Sequence, residues 1–224
     1  MTTIRRISAS IMILLLPIAL HGQKSDFGLW YDIKADHDLA KGLRIEAEAS
    51  LRTDNNASRA ETWYFEPGIR YKFNKYFATG IYYRFIEKVE KDNRFHPRHR
   101  WFLQMKGDLP VNRFTLSARY RLQQQFKTYI EDPLDEVPKW HHRLRLELDY
   151  DVPSLPLKPY INTEIYNQIF VGNDIKFEKM RYIGGMEYTI AKTHTIGIEY
   201  LYQVSKVSKP AWLNVISLNY SVKL

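Results

Sequence analysis

The stretch Trp140–Tyr150 reads WHHRLRLELDY. Trp140, His142, Leu144, Leu146, Leu148 and Tyr150 form one set; His141, Arg143, Arg145, Glu147 and Asp149 form the other. Side chains that alternate in this way belong to a β-strand, whose successive residues point to opposite faces. The run is about twice the usual strand length of ~5–6 residues, and its polar set is almost wholly ionic. A chain built from such strands must give one face an apolar medium and the other face counter-charges.

The pattern recurs. In 43–52, Leu43, Ile45, Ala47, Ala49 and Leu51 oppose Arg44, Glu46, Glu48, Ser50 and Arg52. In 63–73, Trp63, Phe65, Pro67, Ile69, Tyr71 and Phe73 oppose Tyr64, Glu66, Gly68, Arg70 and Lys72. In 114–123, Phe114, Leu116, Ala118, Tyr120 and Leu122 oppose Thr115, Ser117, Arg119, Arg121 and Gln123. Segments 76–87, 97–109, 157–169, 180–190, 193–204 and 211–224 repeat the alternation less regularly, and 27–37 does so weakly. Strands of this length match the ~9–11 residues that a tilted membrane-spanning strand needs.

Short connections (74–75, 109–112, 152–156, 191–193) alternate with longer ones (53–60, 88–95, 127–138, 170–179). Short turns at one end and long loops at the other is the plan of an outer-membrane barrel. Trp63, Trp101, Trp140, Tyr150 and Trp212 fall near strand ends, where an interfacial aromatic girdle belongs, and Tyr64 adjoins them. The expected fold is therefore all-β: a closed antiparallel transmembrane barrel of about 10–12 strands, apolar towards lipid and ionic within. A count of about eleven conflicts with the even strand numbers of single-chain bacterial barrels. Either 27–37 does not span, or a strand is missed, or the first and last strands close the barrel as a parallel pair.

Residues 1–22 read as a cleaved signal peptide, with Arg5 and Arg6 before the apolar stretch Ile7–Leu20 and Gly22 before the cut; 23–224 then form the barrel. Removing two arginines takes the net charge from +8 to +6 (8 − 2). Lys and Arg are interspersed with Glu and Asp, so no nucleic-acid footprint is expected. The chain has no cysteine, which excludes disulfides, thiolate metal sites and cysteine nucleophiles.

By parity the lumen receives Arg44, Arg52, Arg70, Arg84, Arg98, Arg100, Arg119, Arg121, Arg143, Arg145 and Arg181, set against Glu46, Glu48, Glu66, Glu147, Asp149, Glu164, Glu187 and Glu199. Barrels of eight strands are just filled by side chains, so about ten to twelve leave little room. The expected role of these groups is a structural ion-pair network; the alternative is a narrow anion-preferring channel or a site for an anionic ligand. His96, His99, His141 and His142 do not converge on an extended chain, so no metal, cofactor or catalytic set is expected. Two further alternatives remain. One is an outer-leaflet lipid-modifying hydrolase, for which Ser50, Ser117, Ser217 and Ser221 lie on the wrong parity for His99 and His142. The other is a soluble periplasmic calycin-like barrel with the faces reversed.

The stretches DFGLWYDI, RIEAEASLR, GIYYRF, HPRHRWFLQM, LSARYRLQQ, HHRLRLELDY, KPYINTEIYNQ and RYIGGMEY follow one another in order. In these the chain resembles a family of small Gram-negative outer-membrane barrels catalogued as a domain of unknown function. The resemblance implies location and architecture, with no assigned activity. The expected partners are outer-membrane lipid and, through the apolar parity of Leu218, Tyr220, Val222 and Leu224, the barrel-assembly machinery; the terminal Leu departs from the commoner aromatic. The oligomeric state is left open.

Overall fold

The computed structural model describes residues 25–224 except 131–132, 134–135, 170–174 and 207–209. The expected signal peptide lies outside the described residues. Eleven strands follow in sequence order: β1 (Ser25–Ala40), β2 (Leu43–Asp54), β3 (Arg59–Lys72), β4 (Phe77–Val89), β5 (Phe95–Val111), β6 (Phe114–Lys127), β7 (Lys139–Tyr150), β8 (Leu157–Ile169), β9 (Ile175–Ile190), β10 (His194–Ser205) and β11 (Trp212–Lys223). Each pairs antiparallel with its sequence neighbour, and β1 closes on β11 to complete the barrel.

The closing pair is parallel, with Ser25 opposite Trp212 and Asp36 opposite Lys223. The odd count is thus resolved by the parallel option, and residues 27–37 lie in a full strand. Ser25 consequently sits at the long-loop end and Leu224 at the short-turn end. The seam is fastened at the short-turn end, where Leu224 N donates to Asp36 O (2.8 Å) and Lys223 pairs with Asp38 (2.9 Å). Both edges of the C-terminal strand are paired, while Leu218, Tyr220 and Leu224 face outward.

Several strands run further than their alternation suggests. β3 begins at Arg59, β5 continues through Leu109–Val111, and β9 begins at Ile175. The connection expected over 53–60 therefore shrinks to 55–58. Polar cross-strand pairs such as Arg59–Asp54 (2.5 Å) carry the ladder beyond the apolar band, where hydrophobic alternation gives no sign of it. At the short-turn end the β1–β2 reversal depends on Gly42, whose φ is +81°. A Cβ there would stand 2.7 Å from the carbonyl oxygen of Lys72.

The faces divide as the alternation requires. On β7, Leu144, Leu146 and Leu148 are 44%, 45% and 39% exposed on the outside. Ile33, Phe65, Ile69, Ile81, Leu116, Ile161 and Ile198 continue this apolar surface around the barrel. Soluble monomers rarely expose apolar patches beyond a few hundred Å², and a calycin-like barrel would turn these residues inward. Trp63, Trp101 and Trp140 face outward, with Trp212 and Tyr150 on the same parity of their strands. Tyr64 departs from the girdle: it is buried in the lumen, because its parity is that of Glu66.

Within the lumen, a small apolar cluster of Trp30, Ile183, Leu201 and Val215 packs beside the seam, with Tyr160 and Leu213 against it. On the opposite side, Tyr82 leans across Gly68, where a Cβ would lie 2.0 Å from its ring. That close approach lets Tyr82 stack on Phe102 (4.8 Å between centroids) and donate to Glu46 (2.8 Å). A side chain on Gly68 would displace both contacts.

Placing a charge on the outer face should be far worse than trimming it. Leu146→Arg should destabilise the refolded barrel by roughly 2–4 kcal/mol. Leu146→Ala should be milder, since lipid can occupy the space. Urea titration of tryptophan emission in lipid vesicles measures both, and a tolerated Leu146→Arg would contradict the outward assignment.

Candidate functional site

The inward parity of the strands converges on a lumen with a cavity of about 840 Å³, lined largely by charged and aromatic side chains. Its hub is Glu164 on β8, 1% exposed. Arg119 of β6 donates to it at 2.8 Å, and Arg143 and Arg145 of β7 at 3.0 and 3.2 Å. Tyr166 also donates to Glu164 (2.9 Å), and its own oxygen accepts from Arg143 and Arg181, each at 2.6 Å. Strand register explains the convergence: Arg119, Arg145, Glu164 and Arg181 stand opposite one another in sequence across β6, β7, β8 and β9. Several guanidiniums share one carboxylate, so each is held by more than one contact.

A second cluster joins β2, β3 and β4. Arg84 donates to Glu66 and lies 3.6 Å from Glu48; both Arg84 and Glu66 are buried. Tyr64 donates to Glu48 and lies beneath the Arg84 guanidinium, 3.6 Å from ring centroid to Cζ. Lys34 of β1 completes this group at 3.6 Å from Glu48. Towards the short turns, Arg70 pairs with Glu46 (2.5 Å), Arg44 with Asp36 (2.8 Å) and Asp38 (2.6 Å), and Lys158 with Asp149 (3.3 Å). Glu147 accepts from Asn162 (3.1 Å) and lies 3.9 Å from Arg145. At the long-loop end, Arg98 pairs with Glu90.

The network is therefore several knots rather than one continuous lattice. Arg52, Arg100, Arg121 and Arg181 reach the lumen, but among the described residues no carboxylate lies within 4.0 Å of any of them. Glu187 and Glu199 likewise have no cation within that distance among the described residues; Glu199 accepts instead from Tyr160 (2.7 Å).

Sequence alternation missed some members. Trp30, Asp32 and Lys34 lie on the weakly patterned first strand. Tyr64, Tyr160 and Tyr166 were legible as inward by parity, but being aromatic they resemble girdle residues. Glu178 and Lys179 were hidden by a bulge, since the β8–β9 register shifts between Tyr166 and Asn167. A bulge sets two successive residues against one partner residue. Here Glu178 pairs with His141 (3.0 Å) and Lys179 lies 4.9 Å from the centre of the Tyr166 ring.

The histidines separate. His141 faces the lumen. His96 pairs with Asp92 in the β4–β5 loop (2.7 Å) and stacks on Tyr129, and this contact holds the Asp92 carboxyl below its ordinary range. His99 and His142 face outward, bonded through Nδ1 to the hydroxyls of Tyr83 (2.5 Å) and Tyr120. Ser50, Ser117 and Ser217 are buried on the other side of the wall, and Ser117 and Ser217 donate to Asp108 (2.6 Å) and Asp32 (3.2 Å). Among the described residues no three His, Cys, Asp or Glu side chains group as a metal site.

The barrel is similar to solved outer-membrane proteins. The NanC porin shares 15% identity, with 86% of this chain and 99% of that chain covered and a TM-score of 0.53. The KdgM porin, solved in complex with disordered oligogalacturonate, shares 13% identity over 80% of this chain and 91% of that one, at a TM-score of 0.47. LpxR from Salmonella typhimurium shares 6% identity over 81% and 83%, at 0.49. At such identities the likeness to NanC concerns the fold alone. No curated protein matches the chain in sequence. One family profile, described as "Protein of unknown function (DUF2490)", matches residues 27–214.

The knot at Glu164 makes a direct prediction. Glu164→Gln leaves three guanidiniums around a neutral amide, and removing one partner of a buried ion pair costs about 3–5 kcal/mol. Glu61→Gln, near the long-loop rim beside Lys88 (2.7 Å), should change stability little. Urea midpoints of the refolded variants decide, and equal effects would contradict a central role for Glu164.

Proposed function

The chain belongs to the DUF2490 family, and from that starting point we propose that it serves as an integral outer-membrane barrel whose charge-filled lumen makes it a scaffold closed to bulk flow. The observation that carries this reading is the Glu164 knot, where side chains from the adjacent strands β6 to β9 crowd one side of the lumen. Wide aqueous bores are typical of barrels of about sixteen strands, and eleven strands enclose a narrower one. The exposed apolar belt and outward tryptophans support insertion in a bilayer, with the short turns in the periplasm and the loops outside. Lipid is then the partner of the outer face, and the assembly machinery that of the C-terminal strand before closure.

A second reading, a narrow path that prefers anions, is favoured by Arg52, Arg100, Arg121 and Arg181, which line the cavity with no carboxylate within 4.0 Å among the described residues. An outer-leaflet hydrolase is disfavoured. His99 and His142 are engaged by tyrosines, and the strand serines named above lie across the wall, where a nucleophile cannot reach its base.

Purified protein in planar bilayers should give little current, in small events that favour anions. Large, weakly selective steps would contradict the closed scaffold, and cation preference would remove the second reading.

A further inference from the structure

Charge in the lumen is distributed unevenly along its axis. Arg52, Arg100, Arg121 and Arg181 lie at mid-height or nearer the long loops, and their hydrogen bonds go to neutral oxygens. Arg52 donates to the Tyr64 hydroxyl (3.1 Å), Arg100 Nε to Gln125 (3.1 Å), Arg121 to Gln104 (2.6 Å), and Arg181 to Gln203 (2.8 Å) and Tyr166 (2.6 Å). Arg121 is only 7% exposed, and the buried Nε atoms of Arg52 and Arg121 have no partner. Aromatic faces hold these cations in place: Arg52 stands 3.9 Å and Arg181 5.1 Å from the Trp30 ring centre, and Arg121 stands 3.9 Å from that of Phe102. All four guanidiniums line the 840 Å³ cavity, a volume that suits a small-molecule ligand.

The short-turn half is the converse. Four of its cations, Lys34, Arg44, Arg70 and Lys158, are each paired with a carboxylate. Asp32, Glu187 and Glu199 are carboxylates left without a cation within 4.0 Å among the described residues. An anion entering from the long loops would thus fall into a positive region and then meet a negative one. Low-dielectric walls strengthen both effects.

We infer that the lumen contains a binding site for a small polyanion carrying two or more carboxylate or phosphate groups, open to the long-loop mouth and closed by charge towards the short turns. Guanidinium forks bind both oxyanions in bidentate fashion, which is why the shared chemistry is named. This inference deepens the anion-preferring reading and rests on it.

The test uses the full barrel in detergent, with pyrophosphate and citrate as probes and acetate as the monovalent control. Calorimetric titration should show saturable binding of pyrophosphate, citrate or both at millimolar concentration or below, and none of acetate. Which probe binds identifies the preferred oxyanion. Arg121→Gln and Arg52→Gln should each weaken binding about tenfold or more. Arg121→Lys, which keeps the charge but loses the fork, should fall between wild type and Arg121→Gln and guards against misfolding of the neutral variant. Arg44→Gln, a neutralisation at the opposite mouth, should leave binding unchanged. In planar bilayers, pyrophosphate should suppress current only from the long-loop side. Absence of binding by both probes, an equal loss in Arg44→Gln, or equal block from both sides would overturn the site. Because binding is read in detergent, its failure is distinguishable from a failure of anion preference, which is read from current.

Discussion

Everything in this structure depends on backbone hydrogen bonding away from water. A strand edge in hydrocarbon leaves peptide groups unpaired at several kcal/mol each, so spanning strands must close on themselves. Here closure happens with an odd number of strands, and the odd number forces β1 and β11 to run parallel. The parallel seam is slightly weaker per residue than an antiparallel one. It is reinforced at the short-turn end by the Lys223–Asp38 pair and the Leu224 amide, and in the lumen by the cluster around Trp30.

Closure also decides the chemistry of the lumen. With the apolar residues turned outward, the interior is built from what remains, and in this chain that is arginine, glutamate and tyrosine. Charges removed from water need partners. Glu164 satisfies that requirement for three arginines at once, and Glu66 and Glu48 do so for Arg84. The excess of arginine over reachable carboxylate leaves guanidiniums that rest on amide and phenol oxygens and on aromatic rings. The same side chains thus brace the wall and give the lumen its sign.

Much of this was legible in the sequence because a β-strand has a strict period of two. The faces of Leu144, Leu146 and Leu148 against Arg143, Arg145 and Glu147 follow from that period alone, and so do the barrel class and the inward arginines. Three things were not legible. Parity says which face a residue takes but not its partner, so the split between paired Arg84 and unpaired Arg121 required register. A bulge breaks the period, which concealed Glu178 and Lys179. The start of β3 lies among polar pairs such as Arg59–Asp54, where alternation of hydrophobicity ceases to report on strand pairing.

The claim that most needs testing is the division of faces. The chain has no cysteine, so single cysteines can be placed at each position of β7 from Trp140 to Tyr150 without a competing thiol. Labelling of the folded protein in lipid vesicles with a small, charged, water-soluble thiol reagent would read the exposure of each site to water. The account predicts a period of two: reaction at inward positions such as 141, 143, 145, 147 and 149, and protection at outward positions 144, 146 and 148. The reverse phase, or uniform labelling along the strand, would contradict it.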